Sequence, residues 1–511
     1  MSQALALDAL QSVKLTPTSS LLWQRFSALI DALVGDERAA LLQSVTALPC
    51  ESRDAQWLRC SALACLTRDP AWFSSQAALA DDTTATDAVM TLLGLAWYHA
   101  LVRAPNHDVC IQLLRDIDAP RLQRLVVGRM SGPKALQRDD RGGGLRVAVY
   151  TPEVAHNRHG GTLLTLNTMS ALAGQGVQLY GFSAKEASIP AIGSYHGGNE
   201  FLTPFPVEPE SLKLRSSGNV QLSFPNVGFS VRTRLDQVLQ AIDAYAPDVV
   251  IFVGFMSPLV YRLYAHYPVV GLSVHALPPV APVDVWLSAD PQGDAACWPG
   301  VPAPQVFSFP FRFWPVGPAT PVDRASMGLP SGATLVVTAG YRLDTEIVSP
   351  WREQMLEFVE ARPEVHWLLV GVPEGQSPGA LPSHPRIHLV APQPRLEPWL
   401  AMCDIYVNPP RMGGGGALAM AMEQGLPVAT LAGSDGGDKV GGYAVESSEA
   451  YFALLRAWVD DRMARQQAGD ALKARFQERL DFSSEAAATG LIQACDLAIE
   501  SFQQRREAAS A

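Results

Sequence analysis

No apolar run in this 511-residue sequence approaches the ~20 residues that a membrane-spanning helix needs. No transmembrane segment is therefore expected. The N-terminus, MSQALALDALQSVK, lacks a basic start and a sustained apolar stretch, so it does not read as a secretory signal. The seven cysteines are odd in number and irregularly spaced, and no CxxC pair exists. That argues against a disulfide framework or a zinc ribbon and for reduced core residues, which predicts a cytoplasmic protein. Basic runs are missing as well. Lys+Arg is 39 against Asp+Glu 50, a formal net charge of −11, whereas surfaces that work on nucleic acid are basic. Nucleic acid is not an expected partner. Charged residues make up only 17% and hydrophobic residues 48%, a balance that fills large cores and excludes a disordered chain.

The length suggests about three domains. Residues 1 to about 135 carry a helical pattern. Leu22, Phe26, Leu29, Ile30 and Leu33 recur at three- and four-residue steps and give one apolar face. Similar patterns run over 39–48, 55–66, 85–101 and 109–114, with short polar breaks. Stacked helical hairpins fit, but no clean 34-residue repeat is present. The charged, glycine-rich stretch 138–144 reads as a linker. After it the period changes. Short apolar strands at 145–150, 177–182, 247–253 and 269–274 alternate with helices, as in a parallel, doubly wound sheet. Residues 184–230 carry no clear pattern. A second α/β unit begins near Pro321, with strands at 334–338, 367–371, 387–390, 405–407 and 427–431 and helices at 354–361 and 417–424. The expected layout is a helical region 1–140, a first Rossmann-like domain 141–320 and a second 321–511, the two α/β domains facing a cleft. In open α/β sheets ligands sit beyond the carboxyl ends of the strands.

The strongest local signal runs from Asp404 to Ala417: a strand, Arg411, then Gly413, Gly414, Gly415 and Gly416, then an apolar helix. Glycines let the backbone approach a ligand closely. Exposed N–H groups at a helix N-terminus favour an anion, and an arginine suits phosphate oxygens. No Gly-Lys-Ser/Thr follows, so this is not a P-loop. Arg342, after the strand 334–338, is a second phosphate clamp or an ion-pair partner of Asp344 or Glu346. Glu153, His156 and His159 follow the strand 145–150 with Gly160 and Gly161, and could supply a general base or orient an acceptor. His275 ends the strand 269–274 and is read as an acceptor- or sugar-binding residue, or as a buried histidine. Asp435 and Lys439 lie in the glycine-rich loop 433–442, which reads either as a ligand-contact loop or as plain surface. No metal site is expected.

Taken together, the phrase 408–415 followed by Gly425-Leu426-Pro427-Val428 resembles the donor-binding helix and next strand of GT-B glycosyltransferases. The order of segments 146–150, 268–275, 282–286, 307–310 and 342–350 resembles one group of them. That group holds the O-linked N-acetylglucosamine transferases and the bacterial cytoplasmic N-glycosyltransferases of adhesins, which also place a helical domain before the core. The resemblance covers about residues 145–480, and only 404–431 is specific. It implies a GT-B fold and a nucleotide-diphospho-sugar co-substrate held by Arg342, Arg411 and Gly413–Gly416, with no bound cofactor. It further implies transfer to an acceptor, with a bacterial protein side chain expected, with inversion and without metal. Three departures stand out. Met420 sits where the group carries an acid that reaches the ribose. The paired glutamates of retaining enzymes map onto Met412 and Met420. Glu346 occupies roughly the place of a phosphate-contacting lysine, while Glu423 lies on the helix at another phase. A catalytically inactive relative that binds a partner protein is the alternative, and a nucleotide-sugar epimerase on the same fold a weaker third.

Overall fold

The computed structural model describes residues 2–15, 20–33, 35–67, 69–130, 144–155, 159–187, 212–215, 221–289, 298–372 and 381–510. The expected linker, apart from Gly144, and His156 lie outside the described residues.

The chain opens with helices α1 (Ser2–Leu15), α2 (Ser20–Asp31), α3 (Gly35–Thr46), α4 (Arg53–Thr67), α5 (Ala71–Leu79), α6 (Thr86–Arg103), α7 (His107–Asp116) and α8 (Ala119–Val127). The periodic face of α2 buries as expected. Phe26 and Ile30 are fully buried and pack with Leu10, Val13, Leu41, Val45 and Leu63 of the neighbouring helices. Each such side chain removed from water contributes ~1.5–3 kcal/mol.

A parallel sheet follows, built from β1 (Arg146–Thr151), α9 (Gly160–Leu172), β2 (Gln178–Ser183), β3 (Leu222–Ser223), α10 (Val231–Tyr245), β4 (Val249–Val253), α11 (Pro258–His266), β5 (Val269–Leu272), β6 (Val285–Ser288) and β7 (Gln305–Ser308). Its strand order is β3-β2-β1-β4-β5-β6-β7. Every residue of β4 is fully buried, which explains a run of five apolar residues without alternation.

The second sheet comprises β8 (Thr334–Ala339), α12 (Leu343–Glu346), α13 (Trp351–Ala361), β9 (Val365–Val370), β10 (Ile387–Val390), α14 (Glu397–Ala401), β11 (Ile405–Val407), α15 (Gly415–Glu423) and β12 (Val428–Ala429). Helices α16 (Gly437–Val440), α17 (Ser448–Asp460), α18 (Arg462–Arg475) and α19 (Glu485–Ser510) complete the chain. The order is β10-β9-β8-β11-β12, with every pair parallel. Alternate residues face two cores: Leu335, Val337, Leu368 and Val370 on one side, Val336, Val365, Trp367 and Leu369 on the other.

The chain divides into two compact units. The first takes residues 1–99, 111–307 and 489–511, and the second 100–110 and 308–488. In each sheet the strand order reverses beside the first strand, between β1 and β4 and between β8 and β11. Such reversals open a crevice at the carboxyl ends of the strands, where α/β proteins bind ligands. The loops after β1, β8 and β11 leave the sheets at these two places, whereas His275 follows β5 and the loop 433–442 follows β12. Among the described residues no helix is long and apolar enough to cross a membrane.

Candidate functional site

In the second unit, the loops after β8 and β11 are tied together by one carboxylate. Glu346, on α12, is 4% exposed. Its Oε1 accepts from Arg342 Nη2 at 2.8 Å and its Oε2 from Arg411 Nη1 at 2.5 Å. Arg411 is itself 2% exposed and spends its other donors inside the protein. Nε donates to Asn408 Oδ1 at 2.9 Å, and Nη2 donates to Ala339 O and Tyr406 OH, both at 3.1 Å. Burial would raise the Glu346 carboxyl, but the two guanidinium groups outweigh it and hold it below its usual value. Burial likewise works against the Arg411 charge, and Glu346 outweighs it. Arg411 thus lies beneath the glycine run as a scaffold, and not as the free phosphate clamp that its place in the sequence suggests. Of the expected alternatives for Arg342, the ion pair with Glu346 forms, yet its side chain stays 30% exposed. Its Nε has no hydrogen-bond partner among the described residues.

The glycines are fitted to this network. Gly414 has φ +85, in the left-handed region, and a Cβ there would come within 2.2 Å of Arg411 Nη2. A Cβ on Gly413 would meet Arg342 Nη2 at 2.5 Å, and one on Gly415 would meet Asp435 Oδ2 and Lys439 Cε at 2.7 Å. Gly416 faces open space. The run therefore opens α15 against Arg342 on one side and the Asp435–Lys439 loop on the other. Lys439 is 6% exposed. It donates to Asp435 O and to Asp438 Oδ1 at 3.1 Å, and its Nζ stands 3.6 Å from Asp435 Oδ1. Burial lowers the Lys439 ammonium, but the Asp435 and Asp438 carboxylates more than restore it. The same loop is held from residues 100–110, where His107 N–H donates to Gly433 O at 3.1 Å. Met420, one turn into α15, is partly buried against apolar neighbours. Glu423 accepts from Val316 and Gly317 N–H at 3.1 and 2.7 Å, a structural tie away from the glycine run.

In the first unit, the loop after β1 holds Glu153 with its Oε1 3.2 Å from Lys185 Nζ and its Oε2 accepting from Ala187 N–H at 3.1 Å. Burial raises its carboxyl despite Lys185. His159 caps α9, with Nδ1 accepting from Thr162 N–H at 3.3 Å. Gly160 and Gly161 form the first turn. A Cβ on Gly161 would meet the His159 ring at 3.0 Å, while Gly160 is open. His275 is half-buried, its ring edge-on to Trp97 at 4.9 Å and to Phe255 at 6.2 Å. Sequence reasoning missed Lys185 and Glu186, buried just after β2, together with their partners Tyr150, Ser257 and Arg234. Their one local signal was a Lys-Glu pair following an apolar strand. Among the described residues no group of three or more His, Cys, Asp or Glu is placed to hold a metal ion.

No protein-family model matches the sequence, and the curated proteins contain no match to it. Solved structures do match. A mutant of the O-GlcNAc transferase of Thermobaculum terrenum superposes with a TM-score of 0.61 at 13% identity, over 98% of this chain and 94% of that one. A glycosyltransferase from Streptomyces nogalater aligns over 69% of this chain and 99% of its own, at 15% identity and a TM-score of 0.39, too low to carry an argument. The same holds for a putative UDP-N-acetylglucosamine 2-epimerase from Listeria monocytogenes, at 13% identity and 0.40 over 69% of this chain and 95% of its own. The full-length superposition defines the class: this chain has the GT-B fold, two Rossmann-like sheets in series preceded by helices.

Proposed function

We propose that this protein is a glycosyltransferase that moves a sugar from a nucleotide-diphospho-sugar to an acceptor, with inversion and without metal. The observation that carries the reading is the convergence of Arg342 and the Gly413–Gly416 run at the β8/β11 reversal of a GT-B fold. There the N–H groups opening α15 and the partly exposed guanidinium of Arg342 meet the diphosphate. As the glycosidic bond to the donor breaks, negative charge grows on the leaving phosphate. Donors fixed in advance around such charge are worth ~3–4 kcal/mol each to the transition state. Arg411 and Glu346 hold the loop in shape, and Lys439, paired with Asp435, packs against its far side. Inversion accords with Met412 and Met420 standing where retaining enzymes carry glutamates.

The first unit receives the acceptor. His159 or Glu153, with His156 of the same loop, takes the acceptor proton as its oxygen or nitrogen attacks the anomeric carbon. Gly160, Gly161 and His275 line the approach, and the N-terminal helices present the acceptor, which favours a bacterial protein modified in the cytoplasm. The test is to incubate the protein with labelled UDP-, GDP- and dTDP-sugars and a cell protein fraction. Protease-sensitive label, lost on Arg342→Ala, supports the reading. The neutral balance of the donor side, where Glu346, Asp435 and Asp438 offset Arg342, Arg411 and Lys439, favours the second reading, a partner-binding protein without transferase activity. Nucleotide binding with no transfer to any fraction would select it.

A further inference from the structure

Glu186, buried at the carboxyl ends of β1, β2 and β4, has no part in the roles proposed above. Glu186 is 5% exposed and follows β2 closely. Its Oε1 accepts from Ser257 Oγ at 2.5 Å and from Tyr150 OH, and both donor residues are fully buried. The groups facing it come from every side: Tyr150 on β1, Glu153 in the loop after it, Lys185 beside it, Arg234 on α10 and Ser257 at the start of α11. The cations are committed elsewhere. Lys185 Nζ donates to Val154 O at 2.6 Å and pairs with Glu153, while Arg234 Nη1 donates to the carbonyls of Ala184 and Lys185. Among the described residues no ion pair reaches Glu186. The same few residues sew two loops together. Glu186 N–H donates to Pro152 O at 2.7 Å and Ala187 N–H to Glu153 Oε2 at 3.1 Å. Just before them Lys185 sits at φ +51, a left-handed conformation that a non-glycine residue keeps only when its surroundings hold it there.

We propose that Glu186 is a proton-controlled clasp: protonated, it closes segment 183–187 onto the loop 152–155, and ionised, it loosens that contact. This inference does not depend on the reaction proposed above. A neutral carboxyl suits a buried site lined by two hydroxyls, whereas a carboxylate there is a charge with no ion-pair partner among the described residues. Burial pushes the Glu186 carboxyl up to about 7, and the Ser257 and Tyr150 hydroxyls offset only part of that. The folded state therefore holds this proton more tightly than the unfolded chain, whose value lies near 4.5. The contribution of Glu186 to stability is full below pH 4.5, falls as the pH rises to about 7, and is level above it.

The test compares wild type with Glu186→Gln, a neutral side chain of similar shape, by urea unfolding from pH 5 to 8. Between pH 5 and 7 the folding equilibrium constant of wild type should fall up to ~10-fold per pH unit relative to the variant, with no further divergence above 7. Carboxyls that do not act on Glu186 cancel between the two proteins, and repeating the comparison in a Glu153→Gln background removes the carboxylate that is coupled to it. Amide exchange of 153–155 and 183–187, corrected for intrinsic rates, should quicken over that range in wild type alone. Parallel pH profiles would overturn the proposal. Ser257→Ala decides the matter if the glutamine variant does not fold. It removes a donor that favours the carboxylate, so the midpoint must move to higher pH, and an unmoved midpoint would be equally contrary.

Discussion

At the residue scale, Glu346 joins the candidate donor site together. It stands where the resemblance led to a lysine, and its two oxygens hold the two arginines singled out in the sequence. Removing one partner of a buried pair leaves an uncompensated charge and costs ~3–5 kcal/mol. Glu346→Ala should lose about that much in chemical unfolding, and the double variant Glu346→Leu/Arg411→Met should lose clearly less than the sum of its singles. The pH dependence has the opposite sign to that of Glu186. The Glu346 carboxyl is lowered on folding, so its contribution is present above the ordinary glutamate value of 4.5. It is lost as the pH falls through the folded value. A Glu346→Gln variant should lack that acid-side loss. The sequence made Arg342, Arg411 and the glycines legible because strand, turn and helix follow each other locally. It could not show that Arg411 turns inward, because the partner that holds it lies 65 residues away.

At the scale of single elements, the start of α15 is a paired experiment. Gly414 combines φ +85 with a Cβ position against Arg411, whereas Gly416 is at ordinary φ with nothing within 4 Å. Gly414→Ala should destabilise by more than ~1 kcal/mol and abolish nucleotide binding. Gly416→Ala should be neutral or stabilising by up to ~1 kcal/mol, because alanine suits a helix better. Thermal unfolding with and without nucleotide reads both. Strands with continuous apolar runs were legible, and β10 and β11 fall where the pattern placed them. The strands β3, β6 and β7 were not. β3 has two residues and β7 is largely exposed at a sheet edge, so neither carries the buried run that marks a strand. Glu186 was hidden for a similar reason, since it begins a stretch with no periodicity.

For the whole molecule, the first unit gathers segments far apart in the chain. Its last segment is fastened by Arg505 on α19, whose guanidinium lies 3.6 Å over the Tyr264 ring and pairs with Asp284 Oδ1 at 3.1 Å. Asp284 is 6% exposed, and burial keeps its carboxyl above the usual value even beside Arg505. Arg505→Ala should cost ~1–3 kcal/mol and speed proteolysis within 489–511. The alternation of strands and helices made the α/β class and its two sheets legible. Contacts between distant segments, such as those of residues 100–110 with the loop after β12, leave no periodic trace in a sequence. The central claim concerns a nucleotide diphosphate on the second unit. Thermal shift of the full-length protein against UDP, GDP, dTDP and CMP, with Arg342→Ala as control, tests it most directly. A ligand at 100 times its Kd stabilises by ~2.7 kcal/mol. The account predicts a clear rise in Tm with one nucleoside diphosphate and its loss in Arg342→Ala; no rise with any of the four at millimolar concentration would contradict it.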